Sequence, residues 1–237
     1  MSRLALVTFD LDDTLWSVGE VILRAEAAMA AWLDTHHPAW RGVGPEGLRA
    51  LRGDVARTRP ELSHDLTALR LETLRRMLLR TGLDETAAAT AAAGAFDAFF
   101  TARNQVTLFA DTRPVLAALS ARWPLYALSN GNADLDRIGL AGYFSGRFSA
   151  AGVGQAKPHP RMFEAALAQA GVTPAQAVHV GDHPEQDVAA AQAVGMRAIW
   201  VNYGDEAWPL ARRPDAEIRR LGELPALLEA MAARDAG

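Results

Sequence analysis

The sequence contains no cysteine. A disulfide framework, a thiolate metal centre and a cysteine nucleophile are therefore excluded. No apolar run approaches the roughly 20 residues needed to span a bilayer. The opening run Leu4–Phe9 is also too short for the apolar region of a secretory signal, and it leads straight into acidic residues. Basic excess is missing: 24 Lys and Arg stand against 28 Asp and Glu, a formal net charge of −4. A general nucleic-acid-binding surface is not expected from that balance. Nor is there a dinucleotide fingerprint, because Gly152 and Gly154 lack the third glycine and the strand-to-helix setting. These absences lead to the expectation of a soluble, cytoplasmic protein that neither binds nucleic acid nor enters a membrane.

What is present is an ordinary globular composition: 237 residues, 50% apolar and 22% charged. That length suits one large domain, or a core carrying a smaller insert. Leu4–Phe9 is a continuous, partly β-branched run, as expected of a buried strand. Similar short runs occur at 125–128, 177–180 and 198–201, with a further strand expected at Phe148–Ala150. Helical patterns lie between them. Thr112-Arg113-Pro114 reads as a cap and first turn, Arg161–Ala170 stops at Gly171, and Glu185–Val194 stops at Gly195. Alternation of this kind predicts an α/β protein with a Rossmann-like parallel sheet flanked by helices.

The alternation breaks between about residues 17 and 103, where no strand is legible. Leu62, Leu66, Leu69 and Met77 mark a helical stripe, and Asp84 is placed to cap the Ala-rich segment after it. Four helices are expected, at roughly 18–34, 45–57, 62–81 and 84–102. The predicted organisation is a core of 1–16 and 104–237 interrupted by an all-helical insert of 17–103.

Four motifs sit at or just beyond the expected strand ends. Asp10-Leu11-Asp12-Asp13-Thr14 follows the first strand. Asp10 and Asp12 are two residues apart, and extended backbone would turn both to one side. Close like charges need a cation between them or a proton on one of them. This suits a division of labour, with one carboxylate as nucleophile and metal ligand and the other as general acid and then base. The Asp pair alone is equally compatible with a strand ending in a polar turn. Ser129-Asn130-Gly131 offers a hydroxyl and backbone N–H groups to a phosphate oxygen, although Asn-Gly is first of all a turn signal. Lys157-Pro158 supplies a compact cation. Gly181-Asp182-His183-Pro184-Glu185-Gln186-Asp187 places Asp182 opposite Asp10 and Asp187 one helical turn further on. Mg²⁺ takes oxygen ligands and keeps several waters. Asp10, Asp182 and a main-chain carbonyl near Asp12 would supply the protein's share, with Thr14 and Asp187 behind them.

Taken in order, these motifs (DxDxT, Ser, Lys and GDxxxxD) resemble those of the haloacid dehalogenase-like (HAD) hydrolase superfamily, and the resemblance covers nearly the whole chain. It implies that Asp10 is phosphorylated, that Asp12 protonates the leaving group, and that Ser129, Asn130 and Lys157 bind phosphate. It also implies that Asp182 helps to hold Mg²⁺ and that the helical insert is a C1 cap. Asp12 matters for subclass, because dehalogenases of this fold usually lack an aspartate there and need no metal. Phosphatases and phosphomutases remain; net phosphate release from a small phosphorylated metabolite is the expected reaction, with phosphoryl transfer as the alternative. A non-catalytic phosphate-binding module on the same scaffold is a third possibility, disfavoured by the presence of both Asp10 and Asp12. The stretches Val21-Ile22-Leu23-Arg24, His64-Asp65-Leu66-Thr67, Ser129-Asn130-Gly131-Asn132-Ala133 and Gly142-Tyr143-Phe144 are similar to those of the YigB-type phosphatases. That group implies FMN or 5-amino-6-(5-phosphoribitylamino)uracil as substrate. Trp16, His64 and Arg70 are carried as candidate specificity residues, each with a plainer role. Trp16 would pack between cap and core, His64-Asp65 would cap the next helix, and Arg70, like Arg24, would be a solvated helix-face charge.

Overall fold

The fold is seen in a computed structural model that describes residues 3–236. Strand β1 (Leu6–Phe9) is followed by four helices: α1 (Val18–His36), α2 (Gly44–Thr58), α3 (Leu66–Arg80) and α4 (Glu85–Arg103). The chain then runs through α5 (Thr112–Ser120), β2 (Leu125–Ser129), α6 (Leu135–Ile138), β3 (Gly146–Ser149), α7 (Ala150–Val153) and α8 (Arg161–Ala170). It continues with β4 (Ala177–Gly181), a π-helical turn (Pro184–Ala189), α9 (Ala190–Ala193), β5 (Arg197–Val201), β6 (Ala216–Ile218) and α10 (Leu224–Ala236). It divides into two compact units, Met1–Ser17 with Thr107–Gly237, and Val18–Val106. No helix among the described residues is long and apolar enough to cross a membrane.

The first unit is built on a six-stranded parallel sheet in the order β3-β2-β1-β4-β5-β6. Every residue of β1, β2 and β4 is buried, which is why these strands read as largely apolar runs rather than alternations. Leu6, Leu128, Phe163, Val188 and Trp200 belong to one buried cluster of this unit. In this strand order the direction of winding reverses between β1 and β4. The crevice beyond their carboxyl ends is where open α/β sheets bind ligands.

The second unit is entirely helical. Leu33, Leu74, Met77 and Phe99 share its core with Ala88, Ala91, Ala92 and Ala95. The alanines recur at helical spacing, so α4 offers a flat face, and α1 packs against it. A β-carbon on Gly94 would meet the Trp32 ring at 2.4 Å, so glycine is what lets that indole lie on α4.

The structure corrects several sequence expectations. Helix α3 starts at Leu66, because Pro60–Leu62 forms a separate 3₁₀ turn and the Asp65 carboxylate caps the Ala68 N–H at 2.9 Å. Leu62 therefore lies outside the helical stripe assigned to it. Thr112 is the first residue of α5 rather than its cap, and its hydroxyl donates to the Leu15 carbonyl at 2.9 Å. Residues 184–189 form a π-helical turn where an α-helix was expected, and Ala150 opens α7 instead of ending β3. Strand β6 and helix α10 were not anticipated. β6 is only three residues, Ala-Glu-Ile, too short to show a period.

Candidate active site

The carboxyl ends of β1 and β4 bring Asp10 and Asp182 together by register. Phe9 pairs with Val180, and the Asp10 N–H donates to the Val180 carbonyl at 2.9 Å. Carboxylate oxygens of Asp10, Asp182 and Asp187 all lie within 4.8 Å of one another. Lys157 enters this acidic cluster. Its Nζ donates to Asp10 Oδ1 at 2.7 Å and to Asp187 Oδ1 at 2.5 Å, and its side chain is 1% exposed. Lys157 is also the only lysine in the chain, every other Lys/Arg position being arginine. A compact ammonium, rather than a planar fork, fits between two carboxylates in a closed space.

Asp187 is held from three sides. Besides Lys157 it accepts from His179 Nε2 at 3.2 Å and from the His183 N–H at 2.9 Å. Burial would raise its pKa, but the Lys157 charge and the His179 hydrogen bond hold it below the usual carboxylate range. As an ionised acceptor it requires the His179 proton to be on Nε2. Nδ1 then accepts from the Thr8 hydroxyl at 2.8 Å, and burial keeps the imidazole neutral by lowering its pKa. Thr8, His179, Asp187, Lys157 and Asp10 thus form one buried polar chain behind the site. Gly181 completes it: a β-carbon there would sit 2.4 Å from Asp187 Cγ.

The other two carboxylates carry the opposite perturbation. Burial raises Asp10 well above the carboxylate range against the pull of Lys157, and the Asp187 and Asp182 charges add to the rise. Burial, with the Asp187 charge, pushes Asp182 up to about 7. Thr14 Oγ1 opposes this by donating to Asp182 Oδ1 at 3.1 Å. Two carboxylates with raised pKa values beside a third that is ionised form a site short of positive charge. Hard oxygen donors in that arrangement fit a divalent cation such as Mg²⁺.

The remaining predicted residues fall into place unevenly. The Asp12 carboxylate is not one of the three that converge; its Oδ1 accepts from Trp16 Nε1 at 2.9 Å. The strand ends at Phe9, Asp12 forms an isolated bridge with Trp16, and the chain turns through a left-handed Asp13 (φ 58°). Trp16 is completely buried, as its plainer packing role requires. Ser129 ends β2, and its Oγ accepts from the Gly131 N–H at 2.9 Å. Asn130 uses its amide on the Lys157 main chain. Oδ1 accepts from the Lys157 N–H at 2.7 Å, while Nδ2 donates to the Lys157 carbonyl and to Gln186 Oε1, both at 2.9 Å. This side chain therefore positions the lysine loop. His64 and Arg70 belong to the helical unit. Arg70 is not a solvated charge: it pairs with Glu26 Oε1 at 2.7 Å and lies 3.6 Å from the Phe99 ring centroid.

Sequence reasoning missed Thr8, His179, Gln186, Trp200 and Tyr203. Trp200 Nε1 donates to the Asp182 carbonyl at 2.7 Å, and the Tyr203 hydroxyl donates to the Thr14 carbonyl at 2.8 Å, each tying down a loop that carries a site residue. The available signals were a histidine inside an otherwise apolar strand and a lysine with no companion in the chain.

Fold and site together define a doubly wound parallel α/β protein with an acidic, lysine-bridged site at its topological switch point. The haloacid dehalogenase-like hydrolase family model matches residues 4–195, and the chain belongs to that family. It is 34% identical over 232 residues to the 5-amino-6-(5-phospho-D-ribitylamino)uracil phosphatase YigB of Escherichia coli, covering 96% of this chain and 98% of that protein. Over 134 residues, 54% of each chain, it is 37% identical to a phosphoserine phosphatase of Thermus thermophilus. A crystal structure described as 2-haloacid dehalogenase from Pseudomonas syringae pv. tomato superposes with a TM-score of 0.94 at 42% identity. That match covers 96% of this chain and 99% of the other.

Proposed function

We propose that the protein is a Mg²⁺-dependent phosphomonoesterase that works through an aspartyl-phosphate on Asp10. The observation that carries this reading is the buried Lys157 ammonium, held between Asp10 and Asp187 beside a third carboxylate at the carboxyl ends of the central strands. In the first half-reaction an Asp10 carboxylate oxygen attacks phosphorus in line. The Asp10–phosphorus bond forms, the ester P–O bond breaks, and Asp12 gives its proton to the departing alkoxide. Lys157 balances charge on the phosphoryl oxygens, and Ser129 with the backbone after it receives another of them. The Trp16 N–H fixes one oxygen of Asp12, which orients that carboxyl group. In the second half-reaction Asp12 takes a proton from water as the water oxygen attacks phosphorus, freeing Asp10 and inorganic phosphate. Asp10, Asp182 and the Asp12 main-chain carbonyl would hold Mg²⁺, with Asp187 and Thr14 behind them. Bound there, Mg²⁺ supplies positive charge for the phosphoryl oxygens.

The substrate we infer is a small phosphorylated metabolite. Near-full-length similarity to YigB favours a riboflavin-pathway phosphate, FMN or 5-amino-6-(5-phosphoribitylamino)uracil. The helical unit would serve as the cap that selects it. The likeness to a chain described as a 2-haloacid dehalogenase supports a second reading, in which Asp10 attacks carbon and expels halide. Asp12 argues against it, since ester cleavage needs a proton donor and halide departure does not. The deciding experiment measures phosphate released from a panel of phosphate esters with Mg²⁺, beside chloride released from 2-chloropropionate. Phosphate release by wild type and none by Asp10→Asn is the expected result. Chloride release without phosphate release would establish the second reading, and undiminished phosphate release by Asp10→Asn would overturn the nucleophile.

A further inference from the structure

The helical unit is open on one side. Helix α1 packs on α4, α4 on α3 and α3 on α2, while α1 and α2, at the two ends of this series, touch each other little. A groove of about 540 Å³ lies there, within the size range of small-molecule sites. Its apolar lining includes Met29, Trp40, Leu48 and Leu74, and Arg49, Arg52 and Arg70 also border it.

The charges around the groove are unbalanced. Other arginines of the helical unit find carboxylates: Arg41 with Asp34, Arg57 with Asp54, and Arg75 and Arg76 with Glu72. Arg49 and Arg52 have no such partner among the described residues. Glu26 is the one acidic residue of the lining, and it is taken by Arg70. The Arg70 guanidinium is desolvated, and the like charge of Arg52 acts on it as well. Three guanidinium groups beside an apolar wall, with one carboxylate among them, favour an anion at the rim and an apolar body below it.

We propose that this groove binds a small organic anion, its apolar body against Met29, Trp40, Leu48 and Leu74 and its carboxylate or phosphate group held by Arg49 and Arg52. The proposal is independent of the reaction assigned to the core. It requires neither Asp10 nor Mg²⁺.

Isothermal titration of the full chain with octanoate and with 1-octanol tests it, since the two probes share a body and differ in the head group. Octanoate should bind at least about tenfold more tightly than 1-octanol, the worth of a charge-assisted contact in a part-buried site. The exposed pair Arg49→Gln/Arg52→Gln should bring that ratio close to one while leaving octanol binding in place. Ala27→Trp, at an exposed position of the groove wall, should block both probes. Equal binding of the two probes by wild type, or no binding of either, would overturn the proposal. So would octanoate affinity that survives the arginine pair substitution. The Gln pair lies on exposed side chains, so this test stands even if Ala27→Trp fails to fold.

Discussion

Replacing Lys157 with methionine would expose how much the site depends on one ammonium. Methionine keeps the length and most of the volume of the side chain, so packing changes little. What is lost is the cation 2.7 Å from Asp10 and 2.5 Å from Asp187, in a space where the lysine side chain is only 1% exposed. Two buried carboxylates then face each other uncompensated. Breaking a buried pair in this way costs about 3–5 kcal/mol. That is a large share of a total stability of about 5–15 kcal/mol. The chain has two units, so a single melting point would mix their responses. Hydrogen exchange read at the β1 and β4 amides isolates the one that matters. Each ~1.4 kcal/mol is a factor of ten, so those amides should exchange about two to four orders of magnitude faster in metal-free Lys157→Met at about pH 7.5. Adding Asp187→Asn removes one of the stranded charges and should recover most of the loss, and Mg²⁺ should recover part of it. An exchange rate within about threefold of wild type would refute the reasoning, because it would mean that the ammonium contributes no net stability.

Three further outcomes follow from the same geometry. The Asp182 carboxyl is pushed up to about 7 by burial, so its contribution to metal-free stability is complete below about pH 4 and is lost as the pH rises through 7. Asp182→Asn should accordingly stabilise the metal-free protein by up to roughly 4 kcal/mol at about pH 8 and by almost nothing at about pH 4. A pH-independent difference between the two proteins in urea denaturation would contradict this. Gly181→Ala would force Asp187 away from a β-carbon 2.4 Å from its Cγ, and turnover should fall by about 10²-fold with little change in KM; steady-state kinetics near the wild-type value would show that Asp187 can move without harm. Thr8→Val removes the proton donor to His179 Nδ1, while ionised Asp187 still holds the ring proton on Nε2. Nitrogen-15 chemical shifts should therefore report an Nε2–H imidazole in both wild type and the valine variant, with only the unprotonated Nδ1 resonance moving as it loses its hydrogen bond, and a proton on Nδ1 in wild type would disprove the assigned hydrogen-bond direction.

Much of the sheet was legible in the sequence, for a physical reason. Strands buried on both faces leave continuous apolar runs, and the chemistry sits where those runs stop, so Asp10, Ser129 and Asp182 announce themselves by position. Glycines and aspartates did the same for α8 and α4, whose ends rest on left-handed Gly171 and on the Asp84 carboxylate. What stayed hidden depends on pairings far apart in the chain. His179 meets Thr8 across 171 positions and Tyr203 meets Thr14 across 189, and no local period records either. Asn130 was assigned to phosphate because Ser-Asn-Gly looks like a loop of donors. Its side-chain amide is also matched to the main chain of a residue 27 positions away, a pairing that no local pattern records. The left-handed turn at Asp13 has no marker glycine, so nothing local announced it.

The solitary lysine gives the molecule a built-in reporter. A sample grown with ζ-nitrogen-15 lysine would carry a single side-chain label, lodged between Asp10 and Asp187. Its resonance would describe that site without assignment, background or mutation. The same scarcity makes the side chains nearly silent to amine-directed acylation in the folded state, since the one target is enclosed. Labelling that appears only as the fold opens would therefore time the exposure of this one position, whatever the rest of the surface is doing.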